Sequence, residues 1–389
     1  MTSPATAAQT GQAQPMDAEG QRLLQRLPEW LAQGAAPAVL VTVLATQGSA
    51  PRAAGARMLC RDGRLLAGTI GGGHLEQMAL RDAAWGAQQG QGDADDALPS
   101  ATEVHEQADA RGRPQRLCRY PLGPKLAQCC GGVVWLHFQE VDAAQARQLA
   151  AGVAGAQLTN TALETRFGDL VLRERPVALP AVLVMGAGHV AAALARVLQP
   201  LPWRVIVVDS RPEWADAVRF PPGAEVISAD PLRLLAAWGW LGKAAQGSQA
   251  AQRLAADLRL KSARGLPADP PPASTYALIM THDHALDRDL AEALLMVPQR
   301  TEPALEPLAY VGLIGSKTKI AAAKARLSQR GVGQEPLERL TAPIGLRLDG
   351  QLLGGNLPGE IAISVAAQLI SLQPRAPGSA APTMPDDDD

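Results

Sequence analysis

The run Val182-Leu183-Val184-Met185-Gly186-Ala187-Gly188-His189-Val190-Ala191 carries the clearest chemistry in the sequence. It matches the G-x-G-x-x-G/A fingerprint, placed as that motif requires between an apolar strand and a helix start. Gly186 permits the tight turn, Gly188 lets backbone approach phosphate oxygens, and Ala191 lets the helix lie close on a sheet. The helix start offers unpaired N–H groups to an anion. Asp209 ends the next apolar run, where a carboxylate accepts ribose hydroxyls. His189 sits inside the fingerprint, with an exposed place at the helix start as its plain alternative. Thr281-His282-Asp283-His284 follows a further apolar run. Strand C-termini line the ligand crevice of an open parallel sheet, so His282, Asp283 and His284 are candidates for phosphate or metal contact. The plain alternative for Asp283 is a helix cap. Gly315, Ser316 and Lys317 end another strand-like run and could cradle a second phosphate, though without the GxxxxGK[ST] spacing of a P-loop. Their alternative is the exposed start of a basic helix holding Lys317, Lys319 and Lys324.

The N-terminal half offers a different set. Gln47, Ser49 and Arg52 put an amide, a hydroxyl and a guanidinium on one loop, which suits a phosphorylated, amide-rich heterocycle. Gly71-Gly72-Gly73 and Gly131-Gly132 mark places of backbone freedom or close approach. Cys130 precedes the glycine pair. A thiolate beside exposed N–H groups is activated, or ligates a soft metal such as molybdenum; the alternative is a small buried hydrophobe. Cys60 and Cys118 are expected to be structural, and Cys129 to face away from Cys130 if the segment is extended. No CxxC pair offers a zinc site. No Ser-His-Asp arrangement or carboxylate pair stands out.

These groups need two domains to hold them, and 389 residues suffice. The expected architecture is α/β: an N-terminal α/β domain, then a Rossmann-like doubly wound parallel-sheet domain. Residues 1–17 and the acidic tail 374–389 lack periodicity and are expected to be disordered. The first domain is expected over 18–150, with a helix at 21–30, a strand at 38–44, a hairpin turning at Asp62-Gly63, a helix from Leu75 and a strand at 133–138. Residues 151–178 read as a connection. From 179 to 373 strands and helices alternate, as in a parallel sheet. Strands are expected at 181–185, 204–209, 224–227, 276–280 and 310–314, with an insertion at about 243–272.

Hydrophobic residues at 47 % suit a globular chain, and a net charge of -2 with only 3 % aromatics argues against nucleic acid. No apolar run reaches the roughly 18 residues of a membrane span, and no secretory leader is recognisable. The expectation is a cytoplasmic protein with reduced thiols.

In order along the chain, several segments resemble the XdhC/CoxI family of xanthine dehydrogenase accessory proteins. They are Gln47-Gly48-Ser49-Ala50-Pro51-Arg52, Gly68-Thr69-Ile70-Gly71-Gly72-Gly73-His74-Leu75-Glu76, Cys130-Gly131-Gly132, Gly186-Ala187-Gly188-His189-Val190, Thr281-His282-Asp283-His284 and Tyr310-Val311-Gly312-Leu313-Ile314-Gly315-Ser316-Lys317. Pro343-Ile344-Gly345-Leu346 and Pro358-Gly359-Glu360-Ile361-Ala362 complete the series. The resemblance implies a chaperone that binds molybdenum cofactor in its molybdopterin form. It supports sulfuration of the cofactor with a cysteine desulfurase and inserts it into the molybdenum subunit of apo-xanthine dehydrogenase. It implies no catalysis of its own. A nucleotide at the Rossmann loop and a homodimer are further expectations. The alternative reading is an NAD(P)-dependent oxidoreductase using the same glycine loop.

Overall fold

The computed structural model describes residues 13–32, 37–84, 101–109, 111–122, 131–238, 240, 275–297 and 308–373. The chain divides into two units, Met1–Ala178 and Leu179–Asp389.

The first unit is built on a six-stranded sheet whose paired strands all run antiparallel. Its order is Arg64–Gly68, Arg57–Arg61, Ala38–Gln47, Val133–Val141, Pro114–Pro121 and Glu103–Ala108. The hairpin between Arg57–Arg61 and Arg64–Gly68 turns at Asp62 and Gly63, with φ of 51° and 70°. Two positive φ values in a two-residue loop match the right-handed strand twist, which explains the Asp-Gly pair. Val41, Val43, Met58, Leu136 and Phe138 pack beneath helix Gly73–Ala83 in one apolar cluster. Leu40 and Leu59 face the other way, towards helices Ala18–Ala32 and Ala143–Thr159.

Two expectations about this unit change. The segment 151–178 is not a connection: helix Ala143–Thr159 runs through residue 150, and strands Leu163–Phe167 and Leu170–Arg175 follow. Nor is all of 1–17 unstructured, since Gln14–Pro15 pairs in parallel with Leu170–Arg175. A buried ion pair explains why these strands belong here. Arg57 and Glu174, only 2 % and 1 % exposed, join the large sheet to the small one. Removing either partner would leave the other charge bare in the interior.

The second unit is a six-stranded sheet whose pairings are all parallel. The order is Glu225–Ser228, Arg204–Asp209, Ala181–Met185, Thr275–Ile279, Tyr310–Leu313 and Leu340–Thr341. In chain order this is 3-2-1-4-5-6, the doubly wound arrangement, with the strand order reversing beside Ala181–Met185. Leu183 and Met185 enter one core with Leu290 and Leu294. Val182 and Val184 enter the opposite core with Leu194, Val365 and Leu369. Helices thus cover both faces, and every side chain of Ala181–Met185 is buried. A continuous apolar run is what such a central strand requires. The sixth strand, two residues long, has no counterpart in the sequence reading. The 243–272 insertion and the 374–389 tail lie outside the described residues.

Candidate functional site

In the first unit, three loops meet because glycine lets them. Strand Ala38–Gln47 pairs with Val133–Val141 so that Gln47 opposes Val133, which brings Gly131-Gly132 beside the 48–52 loop. A Cβ on Gly132 would lie 2.3 Å from the Ser49 carbonyl oxygen and 2.5 Å from that of Gln47. The Gly132 N–H donates to the Ser49 carbonyl at 3.1 Å. On the other side, a Cβ on Gly71 would fall 2.4 Å from Pro51 Cβ. Gln47, Ser49, Gly71, Gly73 and Gly131 are exposed around this junction. Cys129 and Cys130 lie outside the described residues. Cys60 and Cys118 are buried, and burial pushes their thiols up to about 12 and about 11. Thiols held protonated in this way are inert.

Two groups expected to face a ligand are engaged at home. The Gly71–Gly73 turn, with φ of 122°, 74° and 61°, folds around the carboxylate of Glu76. Glu76 Oε1 accepts from the N–H groups of Ile70 and Gly72, both at 2.9 Å, and from the Thr69 hydroxyl. Arg52 is not a free guanidinium. Its Nη1 donates to Glu19 at 3.0 Å and its Nη2 to Asp17 at 3.1 Å. Burial opposes its charge, but Asp17 and Glu19 outweigh that and raise its pKa. The two acids open helix Ala18–Ala32, in a stretch where the sequence offered no reason to expect a partner.

In the second unit, a Cβ on Gly186 would sit 2.4 Å from the Met280 carbonyl oxygen and 2.9 Å from Thr281 Cα. The fingerprint loop and the 281–284 loop therefore abut where the strand order reverses. Gly188 caps helix His189–Leu198, and a Cβ there would meet nothing within 4 Å. That open side is where backbone can approach an anion.

Asp209, 3 % exposed, departs from its expected role. Its Oδ2 accepts from Ala187 N and Arg211 Nη2, both at 2.8 Å. Its Oδ1 accepts from Arg211 N at 3.0 Å and Arg211 Nε at 2.9 Å. Burial raises its pKa, and these bonds more than offset that, leaving it below the ordinary value. An ionised carboxylate has about four acceptor sites, so little remains for a ribose diol.

Three residues that sequence reasoning missed surround it. The guanidinium carbons of Arg211 and Arg219 lie 4.8 Å and 4.5 Å from the Trp214 ring centroid. The ring of His189 meets Trp214 edge-on at 5.5 Å. Arg219 Nη1 donates to the carbonyls of Ala187 at 2.9 Å and Trp214 at 2.7 Å. The Asp-x-Arg spacing was the available signal.

At the end of strand Thr275–Ile279, His282, Asp283 and His284 are exposed. Asp283 caps helix His284–Leu295, its side chain accepting from Ala285 N at 2.7 Å. Asp287, also missed, is 4 % exposed. It accepts from the Thr281 hydroxyl at 2.7 Å and meets His284 Nδ1 at 3.3 Å. Such a carboxylate orients the ring. Among the described residues no group of three His, Cys, Asp or Glu could hold a metal. Ser316 caps helix Lys317–Gln329, with Lys317 exposed in its first turn. Gly315, Ser316 and Lys317 follow the strand next to Thr275–Ile279, on the same edge of the sheet.

Comparison with known proteins agrees with this layout. Residues 182–369 match the XdhC Rossmann domain, and residues 30–93 match the XdhC and CoxI family. An Escherichia coli relative, "Uncharacterized protein YqeB", is 27 % identical over 199 residues, 51 % of this chain and 28 % of that protein. A Bacillus subtilis relative, described as a probable xanthine dehydrogenase subunit, is 24 % identical over 196 residues, 50 % of this chain and 44 % of the other. The match thus spans less than half the length of either relative. A Bacillus halodurans crystal structure, described as a xanthine dehydrogenase, shares the fold with a TM-score of 0.51 and 23 % identity, covering 90 % of this chain and 95 % of that one. With both family models matched in order, and with the fingerprint turn seated at the reversal of a 3-2-1-4-5-6 sheet, the chain belongs to the XdhC/CoxI family.

Proposed function

We propose that this chain is an accessory protein for xanthine dehydrogenase whose cargo is molybdenum cofactor in its molybdopterin form. It holds the cofactor while a cysteine desulfurase supplies the terminal sulfido ligand, then hands it to the molybdenum subunit of the apo-enzyme. The exchange takes place in the cytoplasm. Family membership supports the partner. The observation that carries the cargo is the junction of the 47–52, 69–73 and 131–132 loops. Exposed Gln47 and Ser49 and the Gly131 backbone supply the hydrogen-bonding groups that an amide-rich pterin needs. Cys130 adjoins them in sequence and would supply a soft ligand near the molybdenum centre. Arg52 and the Gly71–Gly73 turn are engaged internally, so neither is free to cradle the cofactor's phosphate.

The test is an anaerobic titration followed by pterin fluorescence, with activation of apo-xanthine dehydrogenase as the second readout. The expected affinity is about micromolar or tighter, roughly 8 kcal/mol. Intact cofactor that fails to bind would falsify the reading. Cys130→Ser is expected to impair delivery of sulfurated cofactor, and Cys129→Ser to matter much less. The glycine fingerprint also favours a second reading, a nicotinamide-dependent oxidoreductase. A nicotinamide rather than a pterin copurifying with the protein would point to it.

A further inference from the structure

We propose that the second unit holds a phosphomonoester subsite, built by Arg211 and Arg219 over Trp214 beside the fingerprint loop. The proposal rests on the crevice at Gly188 being a ligand site, and it names the chemistry that crevice selects. A ribose diol needs an acceptor. The carboxylate at the expected place, Asp209, already accepts four hydrogen bonds, three of them from Arg211 and one from Ala187. What the site presents instead are donors. Arg211 spends Nε and Nη2 on Asp209, which leaves Nη1 with no hydrogen-bond partner among the described residues. Its side chain is 26 % exposed. Arg219 spends Nη1 on the Ala187 and Trp214 carbonyls. Its Nε and Nη2 have no such partner among the described residues.

Both guanidinium groups are thus anchored from behind and each packs on the Trp214 ring, so little side-chain freedom is lost when an anion arrives. Arg219 is further tied by its own carbonyl, which accepts from Arg196 Nη2 at 2.9 Å. A phosphomonoester carries nearly two negative charges and offers acceptor oxygens, which match two planar cations. The nearby acids do not fill the place. Asp209 faces inward, and Asp216 accepts from Val218 N at 3.0 Å, capping its own turn. Glu213 is exposed, beside Arg211 on the same segment. The phosphomonoester has two sources of the right chemistry: a dinucleotide phosphorylated on its adenosine ribose, and a free phosphate.

Calorimetric titration of the full chain with NAD+, NADP+ and inorganic phosphate separates the cases. The expected result is NADP+ binding about tenfold tighter than NAD+, with phosphate competing. Arg219→Gln should remove about tenfold from NADP+ and leave NAD+ within about twofold. Arg211→Ala should remove about tenfold from NADP+ and tighten NAD+, because it frees Asp209 Oδ1 and Oδ2 for a ribose diol. Arg219→Gln leaves the Asp209–Ala187 anchor in place, so it decides the matter if Arg211→Ala lowers the melting temperature. Should NADP+ gain nothing over NAD+ while inorganic phosphate binds through the two arginines, the subsite stands and its ligand is a phosphate source other than the dinucleotide. If neither phosphate nor NADP+ responds to these arginines in folded variants, the proposal is overturned. Failure of the cargo reading is separate: the arginine-dependent preference would persist while apo-enzyme activation is absent.

Discussion

Two glycine turns, Gly71–Gly73 and Gly186–Gly188, each run into a helix and each is pinned by a carboxylate, yet they end in opposite states. In the first unit Glu76 comes from the helix that follows and folds into the turn itself, taking the N–H groups of Ile70 and Gly72. In the second, Asp209 comes from the neighbouring strand and takes only Ala187 N, leaving open the side on which Gly188 caps its helix. A glycine turn before a helix therefore announces a candidate anion site, and the nearest carboxylate decides whether the protein has already filled it.

The comparison breaks most visibly at Gly186. Alanine there meets both a positive φ of 110° and the Met280 carbonyl. Gly186→Ala should destabilise the second unit by roughly 3 kcal/mol or more, read from denaturant titration. A loss under about 1 kcal/mol would mean that the close approach to Met280 is not needed.

The units should also part company in acid. His137, in the first unit, is only 1 % exposed, and its Nε2 has no partner among the described residues. Burial, and then the charge of Arg57, push its pKa down to about 4. The folded value lies below the unfolded one, so the unfolded chain takes up the proton first. The stability is therefore present above about pH 6.5 and is lost as the pH falls towards 4, with the loss reaching roughly 2 kcal/mol by pH 5. Melts at pH 7.5 and pH 5 should show this loss in the wild type and much less of it in His137→Gln. Equal losses would put the acid sensitivity elsewhere.

Glu76→Ala leaves the first turn without its acceptor and should cost about 1–3 kcal/mol. It should also give the 69–73 loop a phosphate affinity that the wild-type loop lacks. If phosphate binding at this loop, followed by chemical shift changes at Gly71 to Gly73, does not appear, the turn is not an anion site in waiting. The smallest expected effect on stability is at Gly188, where a side chain has room. Gly188→Val should change stability by less than about 0.5 kcal/mol while phosphate binding at the second unit falls at least tenfold.

Periodic and turn signals made much of the fold legible. The Asp62-Gly63 hairpin and the apolar run 181–185 each state their conformation within a few residues. The segment 151–178 did not, because helix Ala143–Thr159 is rich in alanine and glutamine and shows no apolar stripe. Strands Gln14–Pro15 and Leu340–Thr341 are too short for alternation to register. At the candidate site the glycines were readable because turn geometry dictates them. The fates of Arg52, Glu76 and Asp209 were not, since each depends on which of several neighbouring charges its side chain reaches. Arg52 pairs with acids more than thirty residues away. Asp287 lay within reach of inspection, three residues after His284 on one helix face.

Gln14 opposes Glu174 in the small sheet, and Glu174 in turn holds Arg57. This makes the order of synthesis matter. While a ribosome is still making residues 16 to 173, the strand at residue 14 has no mate and the Arg57 cation has no counterion. The Gln14–Pro15 pairing and the Arg57–Glu174 ion pair can form only after the strand Leu170–Arg175 is translated. Until then the Gln14–Pro15 edge stays unpaired.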